Sequence, residues 1–134
     1  MNKIILSIKP IYVQSIINGT KRFEYRTKVG KKDIHSLIIY ETFPVKKVVA
    51  EAEVLGVIAS TPNELWDLTH EFGGISKADY DAYFKDRKVA YAYKLGKIKV
   101  YDNPLDIKLF GLKTAPQSFA YVKWYLSFVH RISF

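Results

Sequence analysis

Apolar positions change their spacing several times along this chain, and each change predicts a new element. Residues 4–8 form a short apolar run, and apolar residues at helical spacing follow from Pro10 until Asn18-Gly19. Proline is favoured at the first helical position, where its missing N–H leaves no bond unmade, and glycine is favoured just past a helix end. The opening segment therefore predicts a short buried strand and a helix that ends near Asn18.

From Lys21 the spacing of the apolar residues becomes two. Successive side chains of a strand point to opposite faces, so the aromatic residues fall on one face and the charged residues on the other. The charged face carries Arg22, Glu24, Arg26 and Lys28. Residues 36–41 and 47–59 predict two further strands, and Gly56 predicts a bulge or bend in the longer one.

Two helical segments interrupt the strands. Thr61 and Ser76 are N-cap residues, each followed three positions later by an acidic residue. This arrangement satisfies free N–H groups at the start of a helix. It predicts helices over about residues 61–71 and 76–84, separated by Gly73-Gly74.

The remaining third of the chain returns to extended patterns. Residues 88–101 alternate with a shift of phase at Gly96, Asn103-Pro104 predicts a turn, and residues 105–110 and 119–122 predict an edge strand and a last strand. Five to six strands, an N-terminal helix and a helical insertion indicate the α+β class. Long strands bent at glycines favour a sheet that curls into a partial β-barrel.

The composition fits one domain spanning residues 1–134, with 49% hydrophobic residues and no obvious linker. Cysteine is absent, which excludes disulfides and thiolate ligands, and the three histidines lack ligand-like spacing. We therefore expect neither a metal nor a cofactor. No apolar run is long enough for a signal peptide or a membrane span, so a cytoplasmic location without membrane contact is the simplest expectation.

The net charge of +8 is unevenly distributed. Residues 21–32 and 85–99 each contain six basic residues and one acidic residue, whereas residues 61–84 contain five acidic residues and one lysine. A field of this kind attracts polyanions. A polyanionic partner is therefore favoured, with solubility as the alternative explanation of the charge.

The pattern GxKxxExR, formed by Gly19, Lys21, Glu24 and Arg26, follows the predicted helix and opens the predicted strand. Together with Lys9-Pro10 and the later segments PVKKVVAEAEV, YDNPLDIKLFG and APQSFAYV, it resembles the ASCH domain family of the PUA-like group of small β-barrels. The resemblance covers about residues 3–122. It implies a PUA-like barrel with a cleft between the first helix and the strand of the pattern, and a ligand that is RNA or a modified nucleobase.

The resemblance directs the charged face of residues 21–28 into this cleft. There Arg26 would keep Glu24 ionised so that it accepts hydrogen bonds from the amino edge of a base, and Arg26 with Lys21 would hold a phosphate or carbonyl oxygen. The expected ligand-binding residues are Lys9, Lys21, Glu24, Arg26, Gln117 and Ser118. Tyr12 and Trp66 are candidates for stacking. On spacing alone, a solvated charge ladder explains the strand better.

Two functions follow. The first is a nucleic-acid-binding module, with RNA favoured, that recognises a base, a nucleotide or a modified nucleoside in a basic cleft. The alternative is an RNA-processing hydrolase, either a ribonuclease or a 4-acetylcytidine-type amidohydrolase, with Lys21 as catalytic base and Glu24 or Glu71 as the second group. The amidohydrolase branch has a nucleophilic threonine at the position of Glu24, and Thr20 lies on the wrong side of Lys21 to replace it. Whether the protein is an enzyme stays open.

Residues 123–134 are apolar and aromatic, but too short and too charged to span a bilayer. We expect them to pack on the domain or to form a dimer contact, which makes the protein a monomer or a weak homodimer. A protein-interaction domain that uses this segment is the third possible function.

Overall fold

The computed structural model describes residues 2–122 and contains six strands, three α-helices and two short 3₁₀ turns. The strands are β1 (Asn2–Ile8), β2 (Phe23–Arg26), β3 (Ile34–Glu41), β4 (Lys47–Ser60), β5 (Ala90–Leu105) and β6 (Phe119–Tyr121). The helices are α1 (Pro10–Ile17), α2 (Pro62–Thr69) and α3 (Lys77–Tyr83), and the 3₁₀ turns are His70–Phe72 and Ile107–Phe110. The α+β class and the number of strands are confirmed.

All six strands form one curled sheet in the order β2-β5-β4-β3-β1-β6. β1 and β3 are parallel, with Ile4 opposite Leu37, and every other pair is antiparallel. A parallel pair needs a long crossover, and here α1 and β2 lie within it. The expected irregularity at Gly56 is present as a register shift between Val54 and Gly56.

Both faces of the sheet are covered by apolar packing. On one face, Val13 and Ile16 of α1 lie on alternate residues of β1 and β3, including Leu6 and Leu37. The intervening residues of the same strands pack on the other face with Tyr101 and with the 3₁₀ turn at Ile107–Phe110. A separate cluster joins α2 and α3 to β2 and to the start of β5. The helical insertion is therefore anchored beside β2.

The second core face contains a buried ion pair. The Nζ atom of Lys3 lies 3.0 Å from Glu51 Oε2, and the Ser36 hydroxyl donates to the same oxygen at 2.8 Å. Buried charges are tolerated when they are paired and hydrogen-bonded. This pair lies away from the cleft described below.

The prediction of an edge strand over residues 105–110 is wrong. The carboxylate of Asp106 accepts from the N–H of Lys108 at 2.9 Å, which starts the 3₁₀ turn, and Gly111 ends it with a φ of 82°. The predicted turn at Asn103-Pro104 is also wrong, since β5 continues to Leu105.

The proline is accommodated because the ladder between β4 and β5 is interrupted there. Val100 pairs with Ala50, and pairing resumes only where Leu105 meets Val48. Pro104 therefore lies in a stretch that makes no ladder hydrogen bonds to β4, so its missing N–H group is tolerated there.

Among residues 2–122, no helix is both long and apolar enough to cross a membrane. The expected packing or dimer contact of residues 123–134 lies outside the described residues.

Candidate functional site

A cleft lies where the curled sheet stops short of closing on itself. β6 pairs only with residues 4–6 of β1, so the β1 edge beyond Leu6 has no strand partner in the described part of the chain. β2, at the other end of the strand order, approaches this edge, and Nη2 of Arg26 donates to the carbonyl oxygen of Ser7 at 3.0 Å. An open cleft of about 500 Å³ remains beside this contact.

Four elements provide the walls of the cleft. They are the end of β1, the first turn of α1, residues 24–26 of β2 and one side of α3. The polar and aromatic side chains that line it belong to Lys9, Tyr12, Lys21, Glu24, Arg26, Asp79 and Tyr83. The wall thus combines cations, carboxylates and phenol rings, as a ligand with both donors and acceptors requires.

Glu24 and Arg26 form the floor of the cleft. They are two residues apart on β2, so their side chains leave the strand on the same face. Glu24 is only 6% exposed, and its Oε2 atom accepts from Nε of Arg26 at 3.0 Å and from Nη2 at 2.8 Å. This geometry holds the carboxylate in one orientation and leaves Oε1 turned toward Lys21.

Lys21 is nearly as buried as an apolar core residue, at 3% exposure. Its Nζ atom donates to the carbonyl oxygen of Gly73 at 2.6 Å and lies 4.0 Å from Oε1 of Glu24. The same ammonium lies 5.2 Å from the ring centre of Tyr12 and 4.8 Å from that of Tyr25. Aromatic faces attract a cation and partly replace the water that burial removes.

The Gly73-Gly74 turn makes room for this lysine. A Cβ atom on Gly74, which has a φ of +62°, would lie 2.6 Å from Cβ of Lys21. A Cβ atom on Gly73 would be crowded by the hydroxyl of Tyr25. The two glycines therefore allow the insertion to close over the lysine stem while the Gly73 carbonyl holds its charge.

Burial is the main cause of the pKa shifts in the cleft. It lowers the pKa of Lys21, the negative charge of Glu24 opposes this shift, and the positive charge of Arg26 adds to it. Burial also raises the pKa of Tyr12 and of Tyr83 above the usual value of a phenol. At neutral pH both tyrosines are therefore uncharged donors, and Lys21 is easier to deprotonate than an exposed lysine.

The structure brings together four of the residues expected at the site. Lys9, Lys21, Glu24 and Arg26 all line the cleft. Gln117 and Ser118 are not among its lining residues. The loop that carries them contacts β1 at Pro116, whose carbonyl oxygen accepts from the Ser7 hydroxyl at 2.8 Å.

Two other candidates are also placed outside the cleft. Glu71 is exposed on the first 3₁₀ turn. Trp66 packs against Tyr80, with ring centres 4.9 Å apart, and stacks on His70. Of the two residues predicted to stack on a base, Tyr12 lines the cleft and Trp66 does not.

The sequence pattern did not identify the wall formed by α3. The spacing of Ser76 and Asp79 predicts the helix, but not that Asp79 and Tyr83 face β2. Their spacing of four residues places both on one face of a helix, which is the only hint in the sequence. Among the described residues, no group of histidines and carboxylates is arranged to hold a metal ion.

Comparison with known protein families shows which family this chain belongs to. The sequence model of the ASCH domain family matches residues 6–99. The chain belongs to the ASCH domain family. The crystal structure of ASCH from Zymomonas mobilis superposes on this domain with a TM-score of 0.85 at 22% identity, covering 93% of this chain and 90% of that one. The expected PUA-like fold, with six strands in a curled half-barrel, is confirmed.

Curated relatives of this ASCH domain are longer proteins. The chain is 27% identical over 121 residues to the ATP synthase subunit alpha of Ureaplasma parvum, covering 90% of this chain and 15% of that protein. It is 28% identical over 123 residues to the large ribosomal subunit protein uL22 of the same species, covering 90% of this chain and 39% of that protein. An ASCH domain-containing ribonuclease of Zymomonas mobilis is 28% identical over 92 residues, 68% of this chain and 62% of that protein. The chain thus spans less than two thirds of each.

The substitution Gly74→Ala should destabilise the ASCH domain by more than left-handed backbone strain alone. Alanine at a positive φ costs roughly 1 to 2 kcal/mol, and here its Cβ would also crowd the Lys21 stem. Gly19→Ala is the matched control, since Gly19 has a φ of +86° but nothing within 4 Å of its Cβ position. Urea unfolding measures both variants, and equal losses would contradict the role given to Gly74.

Neutralising Glu24 should lower the pKa of Lys21 further, because the charge of Glu24 opposes the effect of burial. NMR titration of isotope-labelled lysine side chains in Glu24→Gln and in the wild type measures this shift. Asp81→Asn, which removes the partner of the exposed Lys77, should leave Lys21 unchanged. A raised Lys21 pKa in Glu24→Gln would contradict this arrangement.

The lowered pKa of Lys21 also makes the stability of the wild type depend on pH. Between this lowered pKa and 10.5, Lys21 binds more protons in the unfolded chain than in the folded chain, so the free energy of unfolding should rise with pH in that window.

Proposed function

We propose that this ASCH domain binds single-stranded RNA and holds one base, standard or modified, in the cleft. The observation that carries the proposal is the group of buried Lys21 and Glu24 with half-buried Arg26 on the floor of an open cleft, with Tyr12 on its wall. Sequence-specific recognition of RNA uses unstacked bases that are stacked on aromatic rings and hydrogen-bonded along their edges. The cleft offers both kinds of contact.

The floor suits a base better than a phosphate. Oε2 of Glu24 accepts both hydrogen bonds from Arg26. Oε1 lies 4.0 Å from Nζ of Lys21, too far for a hydrogen bond, and can accept from an exocyclic amino group. Lys21 and Arg26 lie beside that oxygen as donors for a ring nitrogen or carbonyl oxygen. A phosphate placed here would be repelled by Glu24. A ligand edge with a donor next to an acceptor is the best match.

Backbone phosphates have binding partners around the cleft rather than in it. Lys9 lies at its mouth and is exposed. Arg26 lies opposite Tyr91 in the antiparallel pair of β2 and β5, and the exposed residues Lys28 and Lys88 lie just beyond the paired ends of these strands. Exposed lysines in such positions neutralise phosphates and make binding dependent on salt. The relative from Zymomonas mobilis that is named a ribonuclease supports RNA as the polymer.

The double variant Glu24→Gln, Arg26→Met should bind a mixed tRNA pool at least tenfold more weakly than the wild type at every salt concentration. Tenfold corresponds to about 1.4 kcal/mol, which is modest for removing the polar floor of the cleft. The slope of affinity against salt should be unchanged, because the phosphate-binding lysines remain. Filter binding or fluorescence anisotropy across a salt series measures both quantities.

A matched control removes an ion pair outside the cleft. Lys77→Met, Asp81→Asn leaves the net charge unchanged, as the cleft variant does, and deletes an exposed pair 2.6 Å apart. This control should bind like the wild type. Tyr12→Ala provides a second variant of the cleft, in case the floor variant fails to fold. Equal binding by wild type, floor variant and Tyr12→Ala would show that the basic segments only attract polyanions.

A ribonuclease is the second candidate function, and the lowered pKa of Lys21 favours it. A neutral Lys21 amine can take the proton of a ribose 2′-hydroxyl, whose oxygen then bonds to phosphorus while the bond from phosphorus to the 5′-oxygen breaks. The leaving oxygen takes a proton from water in the open cleft. In this candidate the scissile phosphate, rather than a base, lies beside Arg26, whose charge offsets the repulsion by Glu24 and stabilises the charged phosphorane. The amidohydrolase form has less support, because the Thr20 hydroxyl is exposed and bonded to Asn18 Oδ1 at 2.7 Å.

If the second candidate is right, the wild type should cleave the tRNA pool to products with 2′,3′-cyclic phosphate ends, and Lys21→Met should reduce the rate by two orders of magnitude or more, the usual range for a general base. Gel electrophoresis of the recovered RNA measures cleavage. Lys77→Met is the control, and it should cleave like the wild type. Intact RNA with retained wild-type binding would reject the ribonuclease and leave the binding function in place.

A further inference from the structure

The turn between β3 and β4 begins next to a residue that lines the cleft. β1 and β3 run parallel with Ile8 opposite Glu41, and the N–H of Thr42 donates to the carbonyl oxygen of Ile8 at 3.0 Å. Ile8 and Lys9 line the cleft. The residues that follow Thr42 therefore leave β3 beside Ile8, at the end of β1 that contributes to the cleft.

This turn exposes an aromatic ring between positive charges. Phe43 is 76% exposed, more than any other large hydrophobic residue in the part of the chain that the structure describes. Val45 is 38% exposed, and Lys46 and Lys47 are both exposed. Residues 42–47 contain no acidic side chain. The turn thus presents a largely exposed aromatic ring and two cations to solvent.

Exposed hydrophobic side chains are common, so exposure alone does not indicate a partner. Three features of this turn point to the same partner: a ring that can stack, cations that attract phosphate, and a position beside a cleft that takes one base. Stacking on aromatic rings next to a basic surface is how proteins bind single-stranded nucleic acid. A membrane surface would use the ring and the lysines too, but not the neighbouring cleft.

We propose that Phe43 is a stacking platform for the nucleotide next to the one in the cleft, and that Lys46 and Lys47 hold the phosphate beside it. This inference rests on the proposed function and narrows it. The ligand is then a single-stranded segment of at least two nucleotides rather than a free nucleoside. Phe43 and the turn lysines contribute affinity that a mononucleotide cannot use.

A length series of competitors tests the platform. Nucleoside monophosphates, dinucleotides and tetranucleotides of each of the four bases compete with a fluorescein-labelled RNA hexanucleotide for the wild type and for Phe43→Ala. The monophosphates should compete equally well in both proteins. The tetranucleotides should bind Phe43→Ala about tenfold more weakly, within the range measured for loss of one stacking aromatic. Phe43→Tyr should restore the wild-type values, because it keeps the ring.

Matched controls separate stacking from general surface effects. Leu68→Ala removes a 67% exposed apolar side chain on α2, which does not line the cleft, and it should change nothing. Lys46→Asn, Lys47→Gln should weaken tetranucleotide binding and reduce its salt dependence. Asparagine suits position 46 because Lys46 has a φ of 52°. Lys94→Gln, Lys97→Gln removes the same charge from exposed positions of β5, where Lys94 pairs with Gly56 far along β4 from the turn, and should have a smaller effect.

The outcomes distinguish this inference from the function on which it rests. Suppose that Glu24→Gln, Arg26→Met weakens the binding of all competitors, but that the loss of affinity in Phe43→Ala does not increase with competitor length. The proposed function of the cleft then stands, and the stacking role of Phe43 is overturned. If Phe43→Ala weakens monophosphates and tetranucleotides equally, the platform is also overturned. If neither variant changes binding, both proposals fail. Loss of binding to anionic lipid vesicles by Phe43→Ala, with unchanged RNA binding, would assign the turn to a membrane surface instead.

Discussion

The guanidinium of Arg26 joins the two sides of the curled sheet without a strand pair. Its Nη2 atom bonds to the Ser7 carbonyl on β1 and, together with Nε, to the carboxylate of Glu24 on its own strand. A continuous ladder between β1 and β2 would occupy the space with main-chain bonds. One side chain instead fixes the separation of the two strands and leaves the cleft open beside it. The orientation of the Glu24 carboxylate depends on this bridge.

The charges on the floor are stable only as a group. Lys21 and Glu24 are almost fully buried, and removing one member would leave the others with uncompensated charge at low exposure. Protein groups already hold each of them: Arg26 holds Glu24, and the Gly73 carbonyl holds Lys21. A ligand would meet side chains that are ordered before it arrives, so less conformational entropy is lost on binding. A buried charged cluster that opens to a cleft suits recognition better than it suits stability.

Local patterns predicted most of the elements, but contacts between distant segments set the site. The helix from Pro10 and its end at Gly19 follow from adjacent residues, as do the caps at Thr61 and Ser76. The direction of the Lys21 side chain does not follow from adjacent residues, since a residue after a turn need not follow the alternation of the strand. Its position depends instead on Gly73-Gly74, about fifty residues later.

Contacts between distant segments also explain the two wrong predictions near the end of β5 and the cleft wall of α3 that the sequence pattern did not identify. Whether Pro104 turns the chain or lies in a strand depends on where β4 interrupts its pairing. The face that α3 turns toward β2 depends on packing of Tyr80 and Phe84 against Tyr25. Neither contact has a signature within its own segment.

The position of β2 at the end of the strand order has a consequence for self-association. A free strand edge invites another chain to pair with it, and proteins counter this with short edge strands and with charged side chains that point inward. In the part of the chain that the structure describes, β2 has four residues, and two of them, Glu24 and Arg26, are charged and face the cleft. The floor of the cleft therefore also protects the sheet, because the residues proposed to contact a ligand make this edge a poor template for aggregation.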